Sequence, residues 1–245
     1  MGKIVAVGGG DWQNKETLEI DREIKELAED PENALIIPTA MEDSEEYQEN
    51  FQKLYGDELG LETDSLLLYS GLSEEEIDRK FEWADIIYVS GGNTKEMMNK
   101  WKETGVDEKL REAYREEKVL SGLSAGAICW FEYGHSDSES YETDDSEWSF
   151  IRVEGLNIIE DVIFCPHYHS EDREDGFKQM ISDNPEKTGL AVNDHAAVKI
   201  VDGEVEVIRS GDEGKAYTVN SINGEIKRSE LKTGEKYNLD RLRKT

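Results

Sequence analysis

Through roughly the first 130 residues, short apolar runs that stop at glycine or proline alternate with segments of helical period. No other feature restricts the fold as much. Runs of four or five apolar residues are strand-sized, and the stretches between them are long enough to return over a sheet as helices, which predicts an α/β fold. The stretch from Lys3 to Val7 reads as a strand closed by Gly8-Gly9-Gly10, and Thr17 to Ala28 places Ile20, Ile24, Leu27 and Ala28 on one helical face. Ala34 to Ile37 is a second strand, stopped by Pro38. Glu45 to Glu58 carries Tyr47, Phe51, Leu54 and Tyr55 at helical spacing, and Ser65 to Tyr69 reads as the next strand. Ser73 and Glu76 form a capping box ahead of Ile77 and Phe81. Asp85 to Val89 is nearly all apolar, as a central strand covered on both faces should be. Helical stretches around Met97 to Trp101 and Leu110 to Tyr114 then lead to a short strand, Lys118 to Leu120.

Beyond Glu132 the alternation breaks. Tyr133 to Ser149 is rich in Ser, Asp and Glu and reads as an acidic flap, with His135 solvated in it. Order returns with a strand from Asp161 to Phe164, a helix from about Arg173 to Ser182, and a strand from Gly189 to Val192. Ala197 to Val201, Asp202-Gly203 and Glu204 to Ile208 make a hairpin by turn chemistry, and Lys215 to Val219 with Glu225 to Lys227 adds antiparallel edge. No linker or repeat divides the chain, so 1–245 is expected to be one domain.

With 36% apolar and 9% aromatic residues, a chain of 245 can close a core of that size. No apolar run approaches the ~20 residues that span a bilayer, and Ile4 to Val7 is too short for a signal segment, so no membrane association and a cytoplasmic location are expected. Cys129 and Cys165 belong to no CxxC pair and read as reduced thiols. Against 57 acidic residues stand 28 basic ones, a net charge of −29, which works against nucleic acid as a partner. Such a surface suits a protein kept hydrated in concentrated salt.

Gly122-Leu123-Ser124-Ala125-Gly126 is a G-x-S-x-G turn that follows a strand, the context of a nucleophile elbow. Small neighbours let backbone approach a substrate, and the N–H after the serine can face a developing oxyanion. Ser90-Gly91-Gly92-Asn93-Thr94 closes another strand and could supply a second N–H from Gly91 or Gly92. Ligands of open α/β sheets bind at such carboxyl ends. Of the four histidines, His167 follows its strand through Cys165-Pro166 and is the best general base; His167 and His169 could alternatively be two zinc ligands lacking a third. A carboxylate must orient the base, and Asp194 and Asp137 are rivals for that role. Gly8-Gly9-Gly10 fails the dinucleotide spacing because Gln13 stands where a glycine belongs, which favours a close-approach turn over a phosphate site. No cofactor and no metal are expected.

With these residues in hand, the chain resembles the dipeptidase E family of serine peptidases, which includes the cyanophycinases. The resemblance covers about Met1 to Ile200 and rests on three short segments in order: Gly91-Gly92-Asn93-Thr94, Gly122 to Ala127, and Pro166-His167-Tyr168. It implies a three-layer α/β/α sandwich with a mostly parallel sheet, like the class I glutamine amidotransferases, here carrying a C-terminal hairpin extension. It also implies Ser124 as nucleophile, His167 as base, and Gly92 and Ala125 as oxyanion donors. Gly189 to Ala197 is similar to the segment where cyanophycinases place their third residue, with Asp194 at that place, whereas Asp137 is similar to the earlier aspartate of the dipeptidase branch. Arg173 is the nearest counterpart of an arginine that holds an N-terminal aspartyl side chain; beginning a helix or pairing with acidic neighbours is the equal alternative. The implied activity is hydrolysis of dipeptides or other short peptides through an acyl-enzyme. Cleavage of β-aspartyl or other isopeptide bonds, and a non-catalytic ligand-binding relative, are the alternatives. The expected partner is a short peptide substrate; self-association as a homodimer stays open.

Overall fold

The computed structural model describes residues 2–141 and 148–243. Strand β1 (Lys3–Val7) has Ile4, Val5, Ala6 and Val7 without solvent contact. Alternation sends Ile4 and Ala6 to one face and Val5 and Val7 to the other, so the strand needs cover on both sides. That cover comes from α1 (Leu18–Leu27) and α2 (Glu45–Phe51, continued as a π-helix over Gln52–Glu58) on the Val5 face. On the Ile4 face lie α3 (Glu74–Trp83), α4 (Thr94–Thr104) and α5 (Val106–Arg115). The capping box opens α3 as expected: Glu76 N–H donates to Ser73 Oγ at 3.3 Å and Ser73 N–H to the Glu76 carboxylate at 2.9 Å. Asn93 caps α4.

Between these helices run β2 (Asn33–Ile37), β3 (Glu62–Ser65), β4 (Ile86–Val89) and β5 (Val119–Leu123). Five strands pair parallel in the order β3-β2-β4-β5-β1. The strand read at Ser65 to Tyr69 ends where it was expected to begin. Glu62–Ser65 forms the edge strand, and Leu68–Ser70 is a 3-10 turn whose Leu68, with Leu66, packs into the core. An edge strand exposes one side and needs few apolar residues, so the apolar run marked packing rather than pairing.

The rest of the chain departs from a single sheet. After a short helix α6 (Ala125–Ile128) come β6 (Phe131–Ser136), β7 (Ile151–Glu154), β8 (Ile159–Cys165), α7 (Glu174–Asp183) and β9 (Thr188–Val192). These strands belong to a second sheet. Chain and sheets then interleave: β10 (Ala196–Val201) and β11 (Glu204–Arg209) form the expected hairpin but join the first sheet, where β10 lies antiparallel to β1. β12 (Ala216–Ile222) and β13 (Glu225–Leu231) complete the second sheet through β9, and β14 (Lys236–Asn238), followed by α8 (Leu239–Leu242), returns to the first. The orders are β14-β11-β10-β1-β5-β4-β2-β3 and β13-β12-β9-β8-β6-β7, both mixed. The α/β class holds, with two sheets in place of one mostly parallel sheet.

The expected flap also needs correction. Tyr133 to Ser136 continue β6, Ser138–Tyr141 form a 3-10 turn, and the segment 142–147 lies outside the described residues. His135 and Ser136 are polar but buried, so no apolar signal marked this strand. Among the described residues no helix is long and apolar enough to cross a membrane.

Candidate active site

At the end of β5, Ser124 adopts φ 55°, ψ −111°, a conformation costly for a residue with a Cβ. Its surroundings enforce it. Ser124 N–H donates to Val7 O at 3.1 Å, and Ala127 and Ile128 N–H both donate to Ser124 O at 2.9 Å. The flanking glycines are sterically required: a Cβ on Gly122 would stand 2.3 Å from Gly126 O, and one on Gly126 would stand 2.1 Å from Val89 O. Beside this elbow lies the second turn. Gly92 has φ 131° against the Ala40 carbonyl, and a Cβ on Gly91 would touch Ser124 Cβ at 3.4 Å. The N–H groups of Gly92 and Ala125 have no partner among the described residues.

His167 reaches the same place from the second sheet. Following β8 through Pro166, it takes φ 48° and donates its N–H to Gly8 O at 3.1 Å. Val7 and Gly8 are consecutive, so the backbones of Ser124 and His167 are tied to successive carbonyls at the end of β1. Asn193-Asp194-His195 connects β9 of the second sheet to β10 of the first, and it is pinned by His195 N–H on Gly9 O at 2.9 Å and Gly8 N–H on Ala196 O at 2.9 Å. Here Asp194 Oδ1 meets His167 Nδ1 at 2.6 Å. Burial pushes the Asp194 carboxyl up, but hydrogen bonding from His167 and Ser170 and the nearby imidazoles outweigh it, leaving its pKa below the usual carboxylate value. A carboxylate on Nδ1 fixes the tautomer that leaves Nε2 as the basic nitrogen.

Gly9 explains the first glycine turn. A Cβ there would lie 1.9 Å from Asp194 Oδ1 and 2.4 Å from His167 Nδ1, so the imidazole–carboxylate pair rests directly on the glycine backbone. Three consecutive glycines mark a close approach; what approaches is a histidine and its acid.

The other candidates lie elsewhere. Asp137 stands 3.7 Å from the Arg173 guanidinium and makes no bond to His167. Arg173 is 1% exposed; it donates to Glu171 from Nε at 2.8 Å and to the His135 carbonyl at 2.7 Å, and stacks over Phe150 at 4.6 Å. His135, expected in solvent, is 1% exposed between Phe150 and Phe177, with burial and then the Arg173 charge pushing its pKa down to about 3. His169 faces Asn193 at 3.2 Å and Glu174 at 3.7 Å, away from the His167–Asp194 bond, so the two histidines do not converge as ligands. His195 faces Glu16 at 3.2 Å.

Next to Ser124 opens a cavity of about 360 Å³, bounded by Gly91 and Leu123 on the serine side and by Trp12, Tyr47 and Tyr88 across it. Its position directly after the first glycine turn, at Asp11-Trp12, is the one trace of it in the sequence.

The chain matches the model of peptidase family S51 over residues 4–208. It is 34% identical over 230 residues to the peptidase YgaJ of Bacillus subtilis, covering 92% of this chain and 95% of that protein. It is 28% identical over 141 residues to a cyanophycinase of Geminocystis herdmanii, covering 57% of this chain and 49% of that enzyme. Its fold is similar to the crystal structure of a peptidase from an acI-B1 Actinobacterium, with a TM-score of 0.76 at 20% identity over 97% of both chains. A putative peptidase E protein from Listeria monocytogenes superimposes with a TM-score of 0.65 at 24% identity, covering 86% of this chain and all of that one. The match along most of its length makes this chain a member of peptidase family S51, the dipeptidase E family, and a serine-type peptidase.

Proposed function

We propose that Ser124, His167 and Asp194 form the catalytic triad of a hydrolase of dipeptides and other short peptides. His167 Nε2 accepts the Ser124 hydroxyl proton as Oγ bonds to the scissile carbonyl carbon. The oxyanion so formed is held by the Gly92 and Ala125 N–H groups. Collapse breaks the C–N bond, the imidazolium returns its proton to the leaving amine, and a water activated by His167 then releases the acid from the acyl-serine. Asp194 keeps the ring oriented and carries its charge. The observation that supports this reading best is the 2.6 Å His167–Asp194 bond, seated on the glycine turn whose preceding carbonyl holds Ser124 N–H.

Because Ser124 comes from the first sheet and His167 from the second, we take the whole chain to work as one hydrolase domain. The helices on both faces of the parallel strands support a layered arrangement related to the class I glutamine amidotransferases. An aspartyl preference would need a cation free to meet the substrate carboxylate, whereas Arg173 is buried against Glu171 and Asp137; in our reading it braces β6 and the turn after it. Ser124→Ala is expected to abolish both dipeptide hydrolysis and labelling by a fluorophosphonate probe. Undiminished cleavage by that variant would remove the mechanism, and a wild-type serine that resists the probe would point to a non-catalytic relative.

A further inference from the structure

The last glycine of the first turn carries a second histidine–carboxylate pair. A Cβ on Gly10 would lie 2.6 Å from Thr17 Cγ2, 3.6 Å from His195 Cδ2 and 3.7 Å from Glu16 Cβ, so the His195 ring and the Glu16 stem close around it as His167 and Asp194 close over Gly9. His195 Nε2–H donates to Glu16 Oε2 at 3.2 Å. The same oxygen accepts from Asp11 N–H at 2.9 Å, while Glu16 N–H donates back to Asp11 O at 3.0 Å. One carboxylate oxygen therefore holds two segments at once.

Those segments lead to the two working parts of the site. Asp11 stands with Trp12 on the wall of the cavity beside Ser124. His195 directly follows Asp194 in the loop between β9 and β10. Its backbone takes φ 61°, a conformation costly for a residue with a Cβ, and is held there by its N–H on Gly9 O and by Ser210 N–H on its carbonyl, both at 2.9 Å. Bonds at a single residue's backbone still let the neighbouring residue rock. A ring anchored on a different segment stops that motion, and a general base tolerates little of it, since a misplacement of about 1 Å can cost about 10²-fold in rate.

We propose that Glu16 and His195 are positioning residues for this reaction: their pair keeps Asp194 in register with His167 and ties that register to the cavity wall at Asp11. The proposal rests on the assignment of Asp194 as the triad acid and adds to it the pair that holds the acid in place. Because both ties meet at Glu16 Oε2, the two residues fail differently. Loss of His195 frees the acid's loop alone, whereas loss of Glu16 frees that loop and the cavity wall together.

The test is steady-state kinetics of His195→Ala, His195→Gln, Glu16→Ala and the double variant His195→Ala/Glu16→Ala on one dipeptide that the wild type cleaves. The His195 and Glu16 side chains are 34% and 37% exposed, so their removal opens no cavity in the core. His195→Ala is expected to lower kcat by about tenfold with KM within about twofold of wild type. Glutamine places an N–H donor near the position of Nε2, so His195→Gln should recover most of that kcat. Glu16→Ala should lower kcat by a similar factor and also raise KM by about threefold or more, the split that a general loss of stability would not produce. In the double variant kcat should match that of Glu16→Ala, because the same tie is broken twice. A His195→Ala enzyme with the wild-type kcat, no recovery with glutamine, or losses that multiply in the double variant overturns the proposal. Asp194→Asn separates the two failures: if it loses activity while His195→Ala does not, only the positioning role falls, and if it too keeps the wild-type kcat, the triad assignment falls with it.

Discussion

Two aspartates compete on paper for one histidine, and a single hydrogen bond separates them. Asp194 touches His167 Nδ1 at 2.6 Å, whereas Asp137 lies 3.7 Å from Arg173. Asn at position 194 can still hydrogen-bond to the ring but no longer carries the charge that favours the required tautomer and the imidazolium. Asp194→Asn is therefore expected to lower kcat by on the order of 10³- to 10⁴-fold, whereas Asp137→Asn, which leaves the ring's partner intact, should keep kcat within about tenfold. Steady-state kinetics of the two variants on one dipeptide decides it; the reverse ranking would return the role to Asp137. Ser124 and His167 were legible as candidates because a nucleophile elbow and a post-strand histidine leave local marks. For the carboxylate the sequence left Asp194 and Asp137 as rivals, because 57 acidic residues give no local mark and Asp194 lies 27 positions from the ring it meets.

Among the elements, α1 carries an unusual group on its buried face. Asp21 accepts from the Thr17 hydroxyl at 2.7 Å and the Tyr55 hydroxyl at 2.8 Å, tying α1 to the π-helical end of α2. Burial outweighs those bonds and pushes its pKa up to about 7, from an ordinary 3.8. The folded state thus holds this proton to higher pH than the unfolded chain does. The stabilisation is complete below about pH 4, declines as pH rises, and is lost once pH passes about 7. Asp21→Asn, neutral throughout, should gain stability relative to wild type across that window, by roughly 3–4 kcal/mol at its upper end. Urea melts of both proteins from pH 4 to 8 measure the difference, and a constant difference would show that Asp21 ionises normally. The same helix sits beneath the first glycine turn, where a Cβ on Gly10 would meet Thr17 Cγ2 at 2.6 Å, so this buried acid lies behind the active-site backbone.

Across the whole molecule the net charge of −29 is the dominant long-range term, and self-repulsion of that size is relieved by screening. Raising salt from about 0.1 M to 1 M shortens the Debye length from ~10 Å to ~3 Å, so Tm is expected to climb steeply over that range. A flat thermal scan series would dissociate the acidic surface from salt adaptation. Charge of this kind is a property of composition, and it survives any folding. The α/β class and the glycine turns at strand ends were likewise set by sequence alone, since apolar period and the need for a missing Cβ are local. Which sheet a strand joins is a matter of hydrogen-bond pairing between distant segments, on which periodicity is silent. Tertiary structure therefore decided that β8 and β9 stand apart from β5, and that the loop between β9 and β10 crosses the seam carrying Asp194 to His167. It also buried His135 and Arg173, whose polar side chains give no inward signal until partners such as Glu171 and Phe150 surround them. Local chemistry chose the residues able to react; only the meeting of two sheets determined which of them stand together.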